Sequence, residues 1–329
     1  MTAEIRNFLA RNLKTEIFDI APIKKGGSDR NFYRVRRPDQ STLILMHYGS
    51  DVAENDYWAD IARFLAAIKI CVPQIIAQDA NRHFILLTDA GETDLWSQRT
   101  VPWRQRRDYY YAVLRQIRTL HTFNTAMIPA GLRLTEGYSE KLYRWEQQYF
   151  QNNFVQAVCH LQLDPARQKE LTAELDGLIA RLQKLGQCLI HRDLQSQNIM
   201  LQDGIPMLID FQGMRKGCLF YDLGSLICDP YVSLTASERN ELLLFYYNLL
   251  KPSYGFQEFT GNFWQASAQR LMQALGAYGF LGLKKKKPDF LKHIDNGINN
   301  LLTAAQSARL PALHKLARQC TPKLIKNEI

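Results

Sequence analysis

Three side chains that carry hard oxygen atoms, Asp193, Asn198 and Asp210, fall within 18 positions of one another in the stretch LIHRDLQSQNIMLQDGIPMLIDF, residues 189–211. Oxygen ligands of this kind suit Mg²⁺, which takes one or two protein ligands and completes its shell with water and phosphate oxygens. If Asn198 and Asp210 hold the metal, Asp193 remains free to orient an acceptor hydroxyl and to take its proton. The residue types therefore predict metal-assisted phosphoryl transfer, in which positioning and charge neutralisation supply most of the rate.

The elements around these residues are predicted to bring them together. The runs CLI, NIMLQ and PMLIDF read as short strands, and the turn dipeptide Asp203-Gly204 separates the second run from the third. Asp193 and Asn198 precede one strand, and Asp210 follows its partner strand. Because a hairpin folds back on itself, all three groups should lie at one end of it.

The eight residues HRDLQSQN, 191–198, match the catalytic-loop pattern H-R-D-L-x-x-x-N of protein kinases, and DFQ follows where that pattern has D-F-G. Taken singly, each residue has an ordinary explanation: a helix cap for Asp193, a turn for Asn198 and a strand end for Asp210. Agreement over the whole pattern favours catalysis instead. His191 is assigned a structural role, since a His in such a loop more often packs and hydrogen-bonds than reacts.

The segment after the second Asp is too short to form a peptide-docking platform. Only 12 positions separate Asp210 from Asp222, and YDLGSL already reads as the next helix. A long activation segment that ends in A-P-E cannot fit there. This length disfavours a protein kinase and predicts a small acceptor.

The chain resembles the aminoglycoside phosphotransferase superfamily, and within it the bacterial cell-wall amino-sugar kinases that phosphorylate the anomeric hydroxyl of N-acetylmuramate and N-acetylglucosamine. Besides the catalytic motif, the resemblance rests on GGSDRNFYRV, LLTDAG, YDLGSLICDP and SAQRLMQALGAYG. It implies an α+β, bilobal, protein-kinase-like fold, with a small antiparallel-sheet lobe at residues 1–90 and a larger, mostly helical lobe at 91–329. It also implies ATP and Mg²⁺ as cofactors and a supporting role for Asp222, which should brace the catalytic loop.

By this resemblance the nucleotide is bound by a glycine-containing loop and by the backbone of a hinge. The predicted contacts are Gly27, Ser28, Asp29, Arg30 and Asn31 in the loop, and Leu87, Thr88 and Asp89 in the hinge. Bare amides in a Gly-Gly loop bind anions well, although such a pair is also common in a plain hairpin turn. The hinge residues could equally be an ordinary buried strand end.

The chain departs from the superfamily at Met46, where a strand Lys should meet the nucleotide phosphates. Basic or backbone groups of the glycine loop are expected to replace that Lys. Glu54, which could have paired with the Lys, is then interpreted as a surface residue.

The acceptor is expected to bind in the helical lobe, near Asp193. The candidate contacts are Glu146, Gln212 and Arg270. Each could instead be an ordinary polar residue of a helix face or a loop. The aromatic-rich stretches DYYYAV and YRWEQQYF are typical of a core, which we favour over a sugar-stacking platform.

Hydrophobic spacing predicts the remaining elements. Residues 3–14 and 54–68 have helical spacing, NFYRVRR and TLILMHY alternate as two antiparallel strands, and HFILLTDAG reads as a buried strand. Beyond residue 94, long helical patterns dominate.

The composition is that of an ordinary folded protein, with 46% hydrophobic and 22% charged residues. A net charge of +9 favours anionic partners such as nucleotides or carboxylated metabolites. The lysine run at 284–287 is read as a solvated loop, so neither a nucleic acid nor a membrane is expected as a partner. Six cysteines without paired spacing indicate reduced thiols, and an N-terminus without an apolar signal core indicates a cytoplasmic protein. The oligomeric state is not indicated.

Taken together, the patterns predict an ATP- and Mg²⁺-dependent kinase of an amino sugar. Two alternatives stay open. The acceptor could be another small alcohol, such as an aminoglycoside, choline or homoserine. The protein could also be a catalytically inactive nucleotide-binding protein, as Met46 suggests, although the intact Asp193, Asn198 and Asp210 argue against it.

Overall fold

The N-terminal part of the chain is built on one antiparallel sheet. The computed structural model describes residues 3–23, 30–49 and 52–321. Within them, five strands lie in the order β1-β2-β3-β5-β4. They are β1 (Asp19–Ile23), β2 (Asn31–Arg36), β3 (Thr42–His47), β4 (Ile75–Asp79) and β5 (Phe84–Thr88), with helices α1 (Ala3–Leu13) and α2 (Trp58–Ala67) packed against them.

Period-two alternation gives this sheet two apolar faces. One face packs on α1 and contains Val35, Leu43, Leu45, Phe84 and Leu86. The other face joins the main core, which also contains α2, through Met46, Ile85 and Leu87, with Phe32 and Ile44 packed against it. This second face looks toward the catalytic part of the chain.

The remainder of the chain is mostly helical. Its α-helices are α3 (Trp103–His121), α4 (Glu140–Phe150), α5 (Pro165–Lys184), α6 (Leu219–Ile227), α7 (Ala236–Leu250), α8 (Phe256–Gly279), α9 (Ile294–Ser307) and α10 (Pro311–Gln319). Two π-helical segments, Gln151–Gln156 and Phe280–Lys284, continue α4 and α8. Against the π-helical end of α4, a Cβ at Gly279 would lie only 2.0 Å from the carbonyl oxygen of Asn153, so glycine is required there.

Two short sheets carry the catalytic stretch. β7 (Ile199–Gln202) and β8 (Ile205–Leu208) form a hairpin in which Ile199 is paired with Leu208. β6 (Gln187–Ile190) pairs with β9 (Arg215–Cys218). The turn residues Asp203 and Gly204 have φ values of 51° and 78°, which Asp and Gly tolerate better than other residues.

The predicted α+β, kinase-like fold is confirmed, as are the β2–β3 pairing and the catalytic hairpin. The predicted helix over residues 54–68 is wrong at its start, because Ala53–Asn55 is a 3₁₀ turn and α2 begins at Trp58. β1 and β4 were not predicted, since both are edge strands whose exposure follows no apolar alternation. The predicted boundary between residues 90 and 91 lies two positions beyond the end of β5. One hydrophobic core contains residues from both sides of this boundary, from Met46 to Cys320.

All six cysteines have free thiols. In the parts of the chain that the structure describes, no helix combines the length and the apolar character needed to cross a membrane.

Candidate active site

A chain of hydrogen bonds ties the catalytic loop to both strands of the hairpin. The side-chain amide of Asn198 donates to the carbonyl oxygen of Asp193 at 2.9 Å. The backbone N–H of Ile209 donates to the carbonyl of Asn198 at 3.0 Å, and the ring of His191 contacts the carbonyl of Ile209 at 3.1 Å. The structure therefore brings Asp193, Asn198 and the residue next to Asp210 to one end of the hairpin.

The carboxylate of Asp193 is held between two guanidinium groups. Arg192 donates to its Oδ2 at 2.7 Å, and Nη2 of Arg270 lies 3.5 Å from its Oδ1. Burial alone would raise the pKa of Asp193, but the charges of Arg192 and Arg270 outweigh burial and lower this pKa below the ordinary range of an Asp. Asp193 is therefore a carboxylate at neutral pH and can accept a proton.

Asp210 forms an ion pair with Arg30, the residue that precedes β2. Nη2 of Arg30 lies 2.6 Å from Oδ1 of Asp210, and Nη1 of Arg30 donates to Gln212 at 2.7 Å. The amide of Gln212 donates to the same Asp210 oxygen at 2.9 Å. Both Asp210 (φ 61°) and Arg192 (φ 77°) hold the left-handed backbone conformation, which is uncommon for residues other than glycine.

The donor set at this end of the hairpin fits Mg²⁺. The side-chain nitrogen of Asn198 donates to Asp193, so the side-chain oxygen of Asn198 is its remaining polar atom. One carboxylate and one amide oxygen are hard ligands, and phosphate oxygens and water can complete the shell. The guanidinium at 2.6 Å from Asp210 shows that this carboxylate accommodates a positive charge at contact distance.

Asp222 is fully buried and holds the backbone of the catalytic loop. Its two oxygens accept the N–H groups of His191 and Arg192, each at 2.7 Å. His121 contacts the carboxylate at 3.0 Å and is itself in contact with the hydroxyl of Tyr246 at 2.7 Å. Asp222 thus holds the backbone of two residues of the catalytic loop, and the bracing role that the resemblance implied for it stays a prediction.

Only two of the five residues predicted for the glycine loop lie in the part of the chain that the structure describes. Gly27, Ser28 and Asp29 lie outside the described residues. Arg30 faces Asp210, as above, and Asn31 is exposed at the first position of β2.

At the predicted hinge, several polar groups have partners within the protein. The N–H of Thr88 donates to the carbonyl of Gln74 at 2.9 Å. The carbonyl of Asp89 accepts a hydrogen bond from Gln202 at 3.1 Å, and its carboxylate accepts one from Arg34 at 2.7 Å. Leu87, at the end of β5, is buried in the main core.

Met46 is fully buried on the face of the sheet that looks toward α2, as are its neighbours Ile85 and Leu87. No cation can therefore come from this position. Glu54, interpreted from the sequence as a surface residue, is half-buried and lies 3.5 Å from the hydroxyl of Thr135.

Of the predicted acceptor residues, Glu146 is turned into the protein. Its side chain is 1% exposed, and its carboxylate accepts hydrogen bonds from Tyr138 (2.9 Å), Tyr221 (2.8 Å) and Gln269 (3.0 Å). Burial raises its pKa, which these hydrogen bonds oppose. Glu146 is therefore engaged by protein groups and closed to solvent.

Arg270 and Gln212 contact the catalytic machinery itself. Nε of Arg270 donates to Ser225 at 2.6 Å, and Ser225 in turn donates to the carbonyl of Arg192 at 3.1 Å. Gln212 binds both Asp210 and Arg30. Both residues therefore hold the groups that surround the predicted reaction centre.

Three residues with evident contacts were not singled out from the sequence. Arg192 lies inside the matched motif, but the pattern does not say that its side chain contacts Asp193. Arg34 lies four positions after Arg30, an even spacing that only weakly indicates that two side chains of an extended segment share a face. His121 lies 101 positions from Asp222, and nothing in the local sequence indicates that contact.

Comparison with known proteins gives one family. The model of the "Phosphotransferase enzyme family" matches residues 19–254. A protein of Pseudomonas aeruginosa named N-acetylmuramate/N-acetylglucosamine kinase is 24% identical over 314 residues, 91% of this chain and 86% of that protein. One of the same name from Neisseria meningitidis is 22% identical over 320 residues, 95% of this chain and 94% of that protein.

Solved structures show the same fold. The ADP-bound aminoglycoside phosphotransferase APH(2'')-Ib superposes with a TM-score of 0.61 at 15% identity, over 94% of this chain and 99% of that one. At this identity the similarity concerns the fold alone.

Proposed function

The chain belongs to the phosphotransferase enzyme family, and on that premise we propose that it transfers the γ-phosphoryl group of ATP to the anomeric hydroxyl of an amino sugar, N-acetylmuramate or N-acetylglucosamine. The observation that carries the proposal is the arrangement at one end of the hairpin, where Asn198 is hydrogen-bonded to Asp193 and to Ile209, the residue before Asp210. The names of the two relatives support the choice of sugar.

Asn198 and Asp210 would hold Mg²⁺, which, when bound, neutralises charge on the phosphates. The hydrogen bond from the Asn198 amide nitrogen to Asp193 fixes the orientation of the amide and leaves its oxygen for the metal. The carboxylate of Asp210 is held by Arg30 and by Gln212.

Asp193 orients the acceptor hydroxyl and receives its proton at a carboxylate oxygen. Arg192 and Arg270 keep this carboxylate charged and restrict its rotation. An anomeric hydroxyl suits a weakly basic carboxylate, because the ring oxygen makes a hemiacetal hydroxyl more acidic than that of an ordinary alcohol.

The proposed setting is the recycling of cell-wall sugars in the cytoplasm, where free thiols such as these six persist. Neither a nucleic acid nor a membrane takes part in this proposal.

An acceptor panel tests the function directly. The purified chain, ATP and Mg²⁺ are incubated with N-acetylmuramate, N-acetylglucosamine, an aminoglycoside, choline or homoserine, and ADP release is measured. We expect turnover with the amino sugars and a product whose phosphorus couples to the anomeric proton in NMR. Preferential turnover of choline, homoserine or an aminoglycoside would replace the proposed acceptor, and no product with any of them would favour an inactive nucleotide-binding protein.

We further assign to Arg30 the phosphate-contacting charge that Met46 cannot supply. Its guanidinium already lies at the metal-binding end of the hairpin, 2.6 Å from Asp210, and it stands at the end of the predicted glycine loop. A guanidinium can bind phosphate oxygens with two hydrogen bonds at once.

Replacing Arg30 by Ala is expected to raise KM for ATP by roughly ten- to a hundredfold, the size of one or two lost charge-assisted hydrogen bonds. Arg30→Lys should recover part of the lost ATP affinity, since Lys keeps the positive charge but lacks the planar guanidinium that binds phosphate with two hydrogen bonds. Steady-state kinetics with ATP as the varied substrate provides the measurement. Arg36→Ala, at an exposed arginine of β2, is the control, and a KM within twofold of wild type for Arg30→Ala would refute the assignment.

A further inference from the structure

Three aromatic rings form a ladder between the α4 and α8 ends of the helical part. Trp145 and Tyr149, one turn apart on α4, are stacked with ring centroids 4.9 Å apart and planes at 15°. Tyr149 is in turn 5.9 Å from Phe280, at the end of α8. Trp145 is 53% exposed, an unusual fraction for so large an apolar side chain. The ladder is therefore not simply part of the core.

The middle ring of this ladder packs against the helix that carries Arg270. Tyr149 packs on α8, where its Cδ1 would lie 2.8 Å from a Cβ at Gly276, and the same helix carries Arg270. On that helix Arg270 donates to Gln273 at 2.6 Å, and Gln273 lies one turn before Gly276. Tyr149 therefore packs on α8 within two turns of Arg270, which contacts Asp193.

Two cations stand at the Phe280 end of the ladder. The ammonium groups of Lys284 and Lys285 each lie 5.9 Å from the ring centroid of Phe280, and both side chains are exposed. Arg192 and Arg270 are already engaged by Asp193. The two lysines are thus exposed charges available to an anionic group on a ligand that lies along the rings.

We propose that Trp145, Tyr149 and Phe280 form the acceptor subsite and that Lys284 and Lys285 bind the lactyl carboxylate of N-acetylmuramate, an assignment that rests on the proposed function. A pyranose ring has an apolar face of C–H groups that packs on the negatively polarised face of an aromatic ring. A carboxylate placed beside two ammonium groups gains charge-assisted hydrogen bonds. N-acetylglucosamine has the same ring without the lactyl group, so the lysines should affect only one of the two sugars.

This assignment changes two interpretations made from the sequence alone. The stretch YRWEQQYF was read as core, whereas Glu146 and Phe150 face inward and Trp145 faces solvent. The lysine run was read as a solvated loop, whereas its first two members flank an aromatic ring.

The decisive experiment uses the double variant Lys284→Ala/Lys285→Ala and steady-state kinetics with both amino sugars. We expect KM for N-acetylmuramate to rise about tenfold, while KM for N-acetylglucosamine and KM for ATP stay within twofold. The matched control is Lys286→Ala/Lys292→Ala, which removes the same charge from the same segment and should change neither sugar's KM.

A second variant tests the ring platform. Trp145→Ala should raise KM for both sugars several-fold, because the apolar face that they share loses its partner, and Trp145→Phe should restore most of the affinity. Thermal unfolding of each variant shows whether the fold is intact.

The outcomes separate the subsite from the function. If the wild-type chain phosphorylates both sugars and the double-lysine variant affects them equally or not at all, the carboxylate site is wrong and the proposed function stands. If the wild-type chain phosphorylates neither sugar, both proposals fail together.

Discussion

Replacement of Asp193 by Asn is expected to lower kcat by about two to four orders of magnitude, the range of a positioned acid–base group. The amide is nearly isosteric and can still accept a hydrogen bond from Arg192, so the loop should keep its conformation. Asn198 binds the backbone carbonyl of Asp193 and not its side chain, so the metal-binding end of the hairpin is preserved as well. The variant loses the capacity to take up a proton and the negative charge that faces Arg192 and Arg270.

The measurement pairs turnover with nucleotide binding. ADP release with an amino sugar gives kcat, and calorimetry with ATP and Mg²⁺ gives the affinity, which should stay close to that of the wild-type chain. Asp203→Asn in the turn of the same hairpin is the control, since Asn tolerates the positive φ of 51° and Asp203 is exposed. Near-normal turnover of Asp193→Asn would remove Asp193 from the mechanism.

Replacement of Asp222 by Ala is expected to destabilise the fold by roughly 3–5 kcal/mol. The carboxylate is fully buried, and its removal leaves the N–H groups of His191 and Arg192 and the ring of His121 without their acceptor. Buried donors that lose their partners bear the full cost of desolvation. The loss should appear as a lower midpoint of urea unfolding with an unchanged slope.

Asp176→Ala serves as the comparison for Asp222→Ala. Asp176 forms an ion pair with Arg144 at 2.6 Å, but both side chains are about half exposed, so its removal should change the free energy of unfolding by less than about 1 kcal/mol. Equal unfolding midpoints for the two variants would show that Asp222 does not brace the loop.

The catalytic hairpin could be predicted because its information is local. The motif, the turn dipeptide and the strand patterns all lie within residues 189–211, and pairing of Ile199 with Leu208 follows from them. The contacts that complete the site are not local. Arg30 meets Asp210 across 180 positions and Arg34 meets Asp89 across 55, and no periodicity in a single sequence encodes such pairs.

The acceptor side was less predictable for a different reason. On α4, neighbouring residues face opposite environments, so the sequence indicates a polar or aromatic residue without indicating its direction. Glu146 points inward to Tyr138 and Tyr221, whereas Trp145 points to solvent. Which of the two meets a ligand depends on how α4 packs on α8, a tertiary property.

The left-handed backbone at Arg192 and Asp210 has a consequence for attempts to engineer this protein. Each such residue holds a conformation that glycine adopts without strain, at a cost on the order of 1–3 kcal/mol. Glycine at either position would relieve this strain but would remove the ion pair with Asp193 or with Arg30, so any chain that a library selected for heat resistance recovers with glycine there should be inactive. Thermal tolerance and turnover must be selected together in this scaffold.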